Sequence, residues 1–188
     1  PIAPLPVPLE SPAAAFVDGT LYVVGGWAAQ GTSATAASTV YAYHPASDTW
    51  SRVTDLPTPI AAASTAVLGG RLYVVGGCPD GCDTVGRHVY RYDPASDKWR
   101  QLADYPVPVH WAGCAGTSGA VTCAGGVNRS ATGHARALKA TYVYHPRTDT
   151  WTQGADVPYA VWGMAANGGN GRLQIVGGEV LADYTQTP

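Results

Sequence analysis

The chain has 188 residues, a formal charge of −2 and only 13% charged side chains, against 23 glycines and 15 prolines. That balance gives no basic footprint for nucleic acid or an anionic membrane, and no apolar run is long enough for a membrane span. Short aliphatic runs amid abundant glycine are the composition of an all-β chain with many turns, not of a helical or disordered one.

In chain order, the segment opens at Pro1 without a methionine or a visible signal peptide, as a processed product or an excised piece would. Leu5-Pro6 aligns with Leu56-Pro57, so the chain is expected to begin just after the last strand of another unit. A first strand runs to Val17, Asp18-Gly19 supplies a two-residue turn, and LYVVGG follows at Leu21 to Gly26. After a loop of small residues containing Trp27 come VYAYHPASDTW, ending at Trp50, and the exit proline Pro57.

The second unit repeats this order. Ala62 to Leu68 predicts a strand, Gly69-Gly70 a type I′ turn with positive φ at both residues, and LYVVGG at Leu72 to Gly77 a second strand. A polar loop with Cys78 and Cys82 leads to VYRYDPASDKW, whose alternating tyrosines read as a strand with one packed face. Trp99 starts a fourth strand that stops before Pro106. The third unit carries Ser118-Gly119, a degraded VTCAGG at Val121 to Gly126, TYVYHPRTDTW ending at Trp151, and Pro158. A fourth begins with LQIVGG at Leu173 to Gly178 and goes no further. The period is about 50 residues, which marks a repeat architecture.

These coordinated marks resemble the kelch repeat over nearly the whole chain: Gly25-Gly26 with Tyr41, Tyr43 and Trp50; Gly76-Gly77 with Tyr90, Tyr92 and Trp99; Gly125-Gly126 with Tyr142, Tyr144 and Trp151. The resemblance implies an all-β fold, a segment of about 3.5 four-stranded antiparallel blades of a β-propeller. It is read as a single segment over 1–188, with units at about 9–57, 58–106, 107–158 and an incomplete 159–188. In such a fold the glycines let backbones approach near the hub, and tyrosines and tryptophans fill the space between blades. Closure takes four to eight blades, so the remaining blades are expected from the same chain, beyond Pro188, or from another.

Four cysteines fall into two local pairs. Counting outward from Ser118-Gly119 sets Cys114 opposite Cys123 in a non-hydrogen-bonded pair, where Cα atoms stand at the near end of disulfide-compatible separation. Cys78 and Cys82 bracket Pro79-Asp80-Gly81 and can bridge if that turn folds back. Two such pairs point to an oxidising, extracellular setting. Buried free thiols remain an alternative, and a zinc site is weakened by the absence of a matching histidine spacing. The sequon Asn128-Arg129-Ser130 has meaning only in a eukaryotic secreted context.

His44, His145, Asp48, Asp97 and Asp149 are explained by their turn positions in the repeat. Residues that break the repeat carry more information. In kelch propellers that bind peptides or small ligands, the resemblance implies a binding face built just after the exit proline and just after the double glycine. Here those places hold Glu10, His110, Trp111 and Trp162, and Trp27, Asn128, Arg129 and Glu179, with Ala61 and Cys78 from the second unit. The arginine common at the start of the first strand in that family is replaced by Leu9, Ile60 and Val109, which argues against an acidic-peptide site.

An aromatic-leaning face suits stacking on a sugar or docking a partner's apolar side chain. The expectation is a non-enzymatic binding module of a larger secreted protein with a protein or carbohydrate partner, no cofactor and no metal. Packing of Trp111 and Trp162 between blades is the competing reading. No nucleophile triad, phosphate loop or metal triad appears. The alternative is a fragment of a carbohydrate-active propeller, for which Arg129, Glu10 and Glu179 are the candidates, or of an oxidase propeller, whose site residues have no place in this chain.

Overall fold

The computed structural model describes residues 2–30, 33–129 and 133–180, and all regular elements among them are strands. Three four-stranded antiparallel sheets follow one another. The first holds Ala13–Val17, Thr20–Val24, Val40–His44 and Thr49–Val53; the second Ser64–Leu68, Arg71–Val75, Val89–Asp93 and Lys98–Leu102; the third Gly113–Thr117, Ala120–Ala124, Thr141–His145 and Thr150–Gln153. A two-stranded sheet, Ala165–Gly169 with Arg172–Val176, follows. In each blade the strands lie in sequence order.

Local chemistry sets the first hairpin of each blade. Gly69 and Gly70 have φ of 58° and 68°, Ser118 and Gly119 of 41° and 82°, as a type I′ turn demands. The second blade's first strand starts at Ser64, two residues later than its apolar run predicts. Ala62 turns to φ 55° there, because its amide donates to the Ser11 carbonyl while its own carbonyl accepts from Trp111.

The core sits between blades. Val24, Val40, Leu72, Val74 and Tyr92 form one buried cluster across the first two blades, and Val75, Val89, Val109, Val121 and Tyr144 another across the second and third. Tyr22 meets Tyr92 edge-on at 5.5 Å between centroids. The double glycines admit the neighbouring backbone, as expected. The amides of Gly26, Gly77 and Gly126 donate to the carbonyls of Ile60, Val109 and Val161 in the next blade. A Cβ on Gly25, Gly76 or Gly125 would strike those same carbonyl oxygens.

The turn aspartate and the tryptophan two residues on act together on the preceding blade. Nε1 of Trp50, Trp99 and Trp151 donates to the carbonyls of Ala3, Thr54 and Ala103. The amides of these same three residues donate to Asp48, Asp97 and Asp149, which also accept from Tyr43, Tyr92 and Tyr144. Each blade therefore grips one residue of the tract that precedes it at both its N–H and its C=O. The amide of Ala3 or Ala103, then the tyrosine, holds Asp48 and Asp149 below the usual carboxylate range; for Asp97 the tyrosine comes first.

Both cysteine pairs are disulfides. Cys114 faces Cys123 in the counted register with Cα atoms 4.1 Å apart, and Cys78 joins Cys82 with Cα atoms 4.8 Å apart.

Candidate binding cavity

The tract after each exit proline pairs with the residue that follows the double glycine. Glu10 pairs with Trp27, Ala61 with Cys78, His110 with Val127 and Trp162 with Glu179. What reads in sequence as loop is thus short β structure. Leu9–Glu10 joins Trp27–Gln30 and Ser33–Ala36 in a small sheet, and Val127–Arg129 pairs with Ala135–Ala137. The same backbone pairing, repeated around the arc, brings side chains from four units to one mouth.

There they line a cavity of about 700 Å³: Glu10, Trp27, His110, Trp111, Arg129, Trp162 and Glu179, joined by Ser11, Gly81, Cys82, Val127 and Ala135. Trp111 and Trp162 stack at 5.0 Å with planes 27° apart, and the ring centroids of His110 and Trp111 lie 4.6 Å apart. The three tryptophans are half-buried and line the cavity. Nε1 of Trp162 is buried and makes no hydrogen bond among the described residues.

Asn128 does not line this cavity, and neither do Ala61 and Cys78 at the matching places of the second unit. Val127–Arg129 is a strand, so alternate side chains point to opposite sides. Val127 and Arg129 face the cavity while Asn128 turns away, its Oδ1 buried. Ser130 of the sequon lies outside the described residues.

Arg129 is engaged in holding loops. Its guanidinium donates to the carbonyls of Cys82 and Gly133, and Asp83 lies 3.6 Å away. His110 is 5% exposed, and burial, then the charge of Arg129, pushes its imidazole down to about 4, so it is neutral at pH 7. Its Nδ1 stands 3.8 Å from Cys82 Sγ. Among the described residues Cys78, Cys82 and His110 bring their donor atoms within 4.8 Å of one another. Sequence spacing could not show this, because the imidazole comes from the next blade.

The family model described as the KLHDC2/KLHL20/DRC7 Kelch-repeats domain matches residues 3–178. The chain belongs to the kelch-repeat family. It is also 27% identical over 165 residues to mouse (Mus musculus) "Kelch-like protein 35", covering 86% of this chain and 26% of that protein. The kelch chain therefore spans about a quarter of the relative's length.

At the first-strand entry, two of the residues that stand in place of the family's arginine are buried. Ile60 and Val109 are 5% and 0% exposed, and their carbonyls receive the double-glycine amides of the preceding blade. Their side chains pack inward, where an arginine would need a partner of its own. Among the described residues no helix is long and apolar enough to cross a membrane.

Proposed function

We propose that this kelch segment is a non-enzymatic binding module that takes a segment of a partner protein into the cavity of Trp27, Trp111 and Trp162. The observation that carries the reading is the Trp111–Trp162 stack, which lines the cavity with aromatic surface. Aromatic anchors of this kind dominate binding energy where they are enclosed by polar groups. Glu10 and Glu179 add exposed carboxylates, while Asp83 stands beside the one cavity arginine. A peptide bearing an apolar or cationic side chain fits this chemistry. Family membership supports a protein partner over a carbohydrate. Arg129 is occupied by two carbonyls and Asp83, so nothing favours it as a catalytic group. The two disulfides support an oxidising, extracellular setting for the larger protein.

The test is a displayed random-peptide library panned against the chain, with a panel of neutral oligosaccharides titrated in parallel by tryptophan fluorescence. Selected peptides should bind the chain and lose at least tenfold in affinity to Trp162→Ala, roughly the loss expected of a modest anchor. Peptides that bind Trp162→Ala, Trp111→Ala and Trp27→Ala equally well would sink the cavity reading. Saturable quenching by an oligosaccharide, with no peptide selected, would transfer the site to sugars.

A further inference from the structure

The cavity wall holds a group that the binding reading does not use. Cys78, Cys82 and His110 converge from two blades, and each is fixed by bonds other than the disulfide. Cys78 is paired with Ala61 through two backbone hydrogen bonds of 2.8 and 2.9 Å, and His110 with Val127 through two of 2.9 Å. The loop carrying Cys82 is folded by Asp80: its carbonyl accepts from Asp83, and its carboxylate accepts from the amide and hydroxyl of Thr84. Arg129 donates to the Cys82 carbonyl from the third blade. Opening the S–S bond therefore leaves both cysteine backbones and the imidazole held, and rotation about the cysteine side-chain bonds parts the sulfurs to the donor spacing of a metal site.

We infer that the reduced Cys78–Cys82 pair and His110 form a binding site for a borderline-soft divalent cation of the zinc class. Two thiolates and an imidazole are the donor set such ions select, and hard cations such as Mg²⁺ or Ca²⁺ do not. Neighbouring donors on tetrahedral zinc stand about 3.6 Å apart, given Zn–S near 2.3 Å and Zn–N near 2.0 Å. The His110 Nδ1 to Cys82 Sγ distance of 3.8 Å already meets that spacing. The three protein donors leave a fourth position, and Cys82 and His110 both line the cavity.

The redox step is balanced by a thiol reductant. Two thiols give two electrons and two protons to the Cys78–Cys82 bond and leave as their own disulfide. The cation then displaces both cysteine protons and is bound as a neutral dithiolate. A reducing setting thus exchanges a covalent staple for a metal site at the mouth of the cavity.

The test uses the full chain with Cys114→Thr and Cys123→Val, the residues that the second blade carries at the same paired positions as Thr65 and Val74. After reduction with a phosphine and anaerobic removal of the reductant, the chain is titrated with Co²⁺ and then Zn²⁺. One Co²⁺ per chain is expected, with intense sulfur-to-cobalt charge transfer and tetrahedral d–d bands, displaced by one Zn²⁺. The unreduced chain should show neither, and Cys82→Ser should lose both. His110→Gln keeps both thiols and should bind at least tenfold more weakly, since even groups behind a metal ligand are worth ten- to a hundredfold. Absence of one-to-one uptake after reduction, or uptake unchanged in His110→Gln, would overturn the site. Because His110→Gln leaves the cysteines intact, the decision does not depend on whether Cys82→Ser folds.

Discussion

The outer rim and the cavity mouth are built from the same repeat, yet they use it in opposite ways. At the rim, Asp48 with Trp50, Asp97 with Trp99 and Asp149 with Trp151 make the same two-point grip on one residue of the preceding tract. At the mouth, four identical backbone pairings carry four unlike couples: Glu10 and Trp27, Ala61 and Cys78, His110 and Val127, Trp162 and Glu179. Side chains recur where they bond a neighbour's backbone and diverge where they face open space. The rim is thus where the repeat is made to cohere, and the mouth is where it is free to acquire chemistry.

The largest test of that contrast is at the rim. Trp151→Ala removes the bond to the Ala103 carbonyl and the ring contacts with Tyr105 at 4.9 Å and Tyr144 at 5.1 Å. It should lower the unfolding free energy by about 3–4 kcal/mol, read by urea denaturation. A loss no greater than that of Trp162→Ala would erase the distinction between rim and mouth. Gly76→Ala comes next, with a loss of about 2–4 kcal/mol from positive φ and the collision with the Val109 carbonyl.

Acid separates the two regions by where it acts. The rim aspartates have folded pKa values below their unfolded ones, so their contribution is complete above the ordinary carboxylate range. It is lost as pH falls through and below that range. His110 is also depressed, from 6.5 to about 4, so its contribution is complete above 6.5 and is lost as pH falls from there towards 4. In the oxidised chain, His110→Gln should flatten the stability curve between pH 6.5 and 4 and leave the steeper loss below it. A curve unchanged by that substitution would mean the imidazole titrates normally. At the alkaline end, burial first and Asp97 or Asp149 second raise Tyr92 and Tyr144, so stability should fall once pH passes their unfolded value near 10.

The rim's residue types were legible in the sequence and its bonds were not. Tyr92, Asp97 and Trp99 recur at fixed spacing, but their targets, such as Thr54, lie more than 40 residues away and carry no signature. The Cys114–Cys123 register was legible because a two-residue turn fixes every pair by counting. At the mouth, the repeat alignment picked out places that the backbone pairing brings around one cavity. It put Asn128 on the face because, read as a loop, Val127–Arg129 offered no alternation to exclude it. The Cys78–Cys82–His110 cluster was invisible for a different reason, since curvature of the arc, not spacing, joins the second blade to the third.

The smallest expected effect is the most specific, because it turns on sign. Trp111 has φ 52°, as its counterparts Ser11, Ala62 and Gly163 have 49°, 55° and 64°. The backbone bend at this place belongs to the repeat, and a bulky side chain there works against about 1–2 kcal/mol of strain. Trp111→Gly loses the ring contacts with His110 and Trp162, each worth about 0.5–1.5 kcal/mol, but relieves that strain. Trp111→Ala loses the same contacts and keeps the strain, so glycine should be the more stable of the two by about 1 kcal/mol. At the rim the order should reverse: Trp151 lies in the strand Thr150–Gln153, where glycine costs about 0.5–1 kcal/mol more than alanine. Four variants and one denaturation series decide it. If glycine is worse than alanine at both positions, the strain at Trp111 is not real, and the mouth tryptophan is held by packing in the same way as those of the rim.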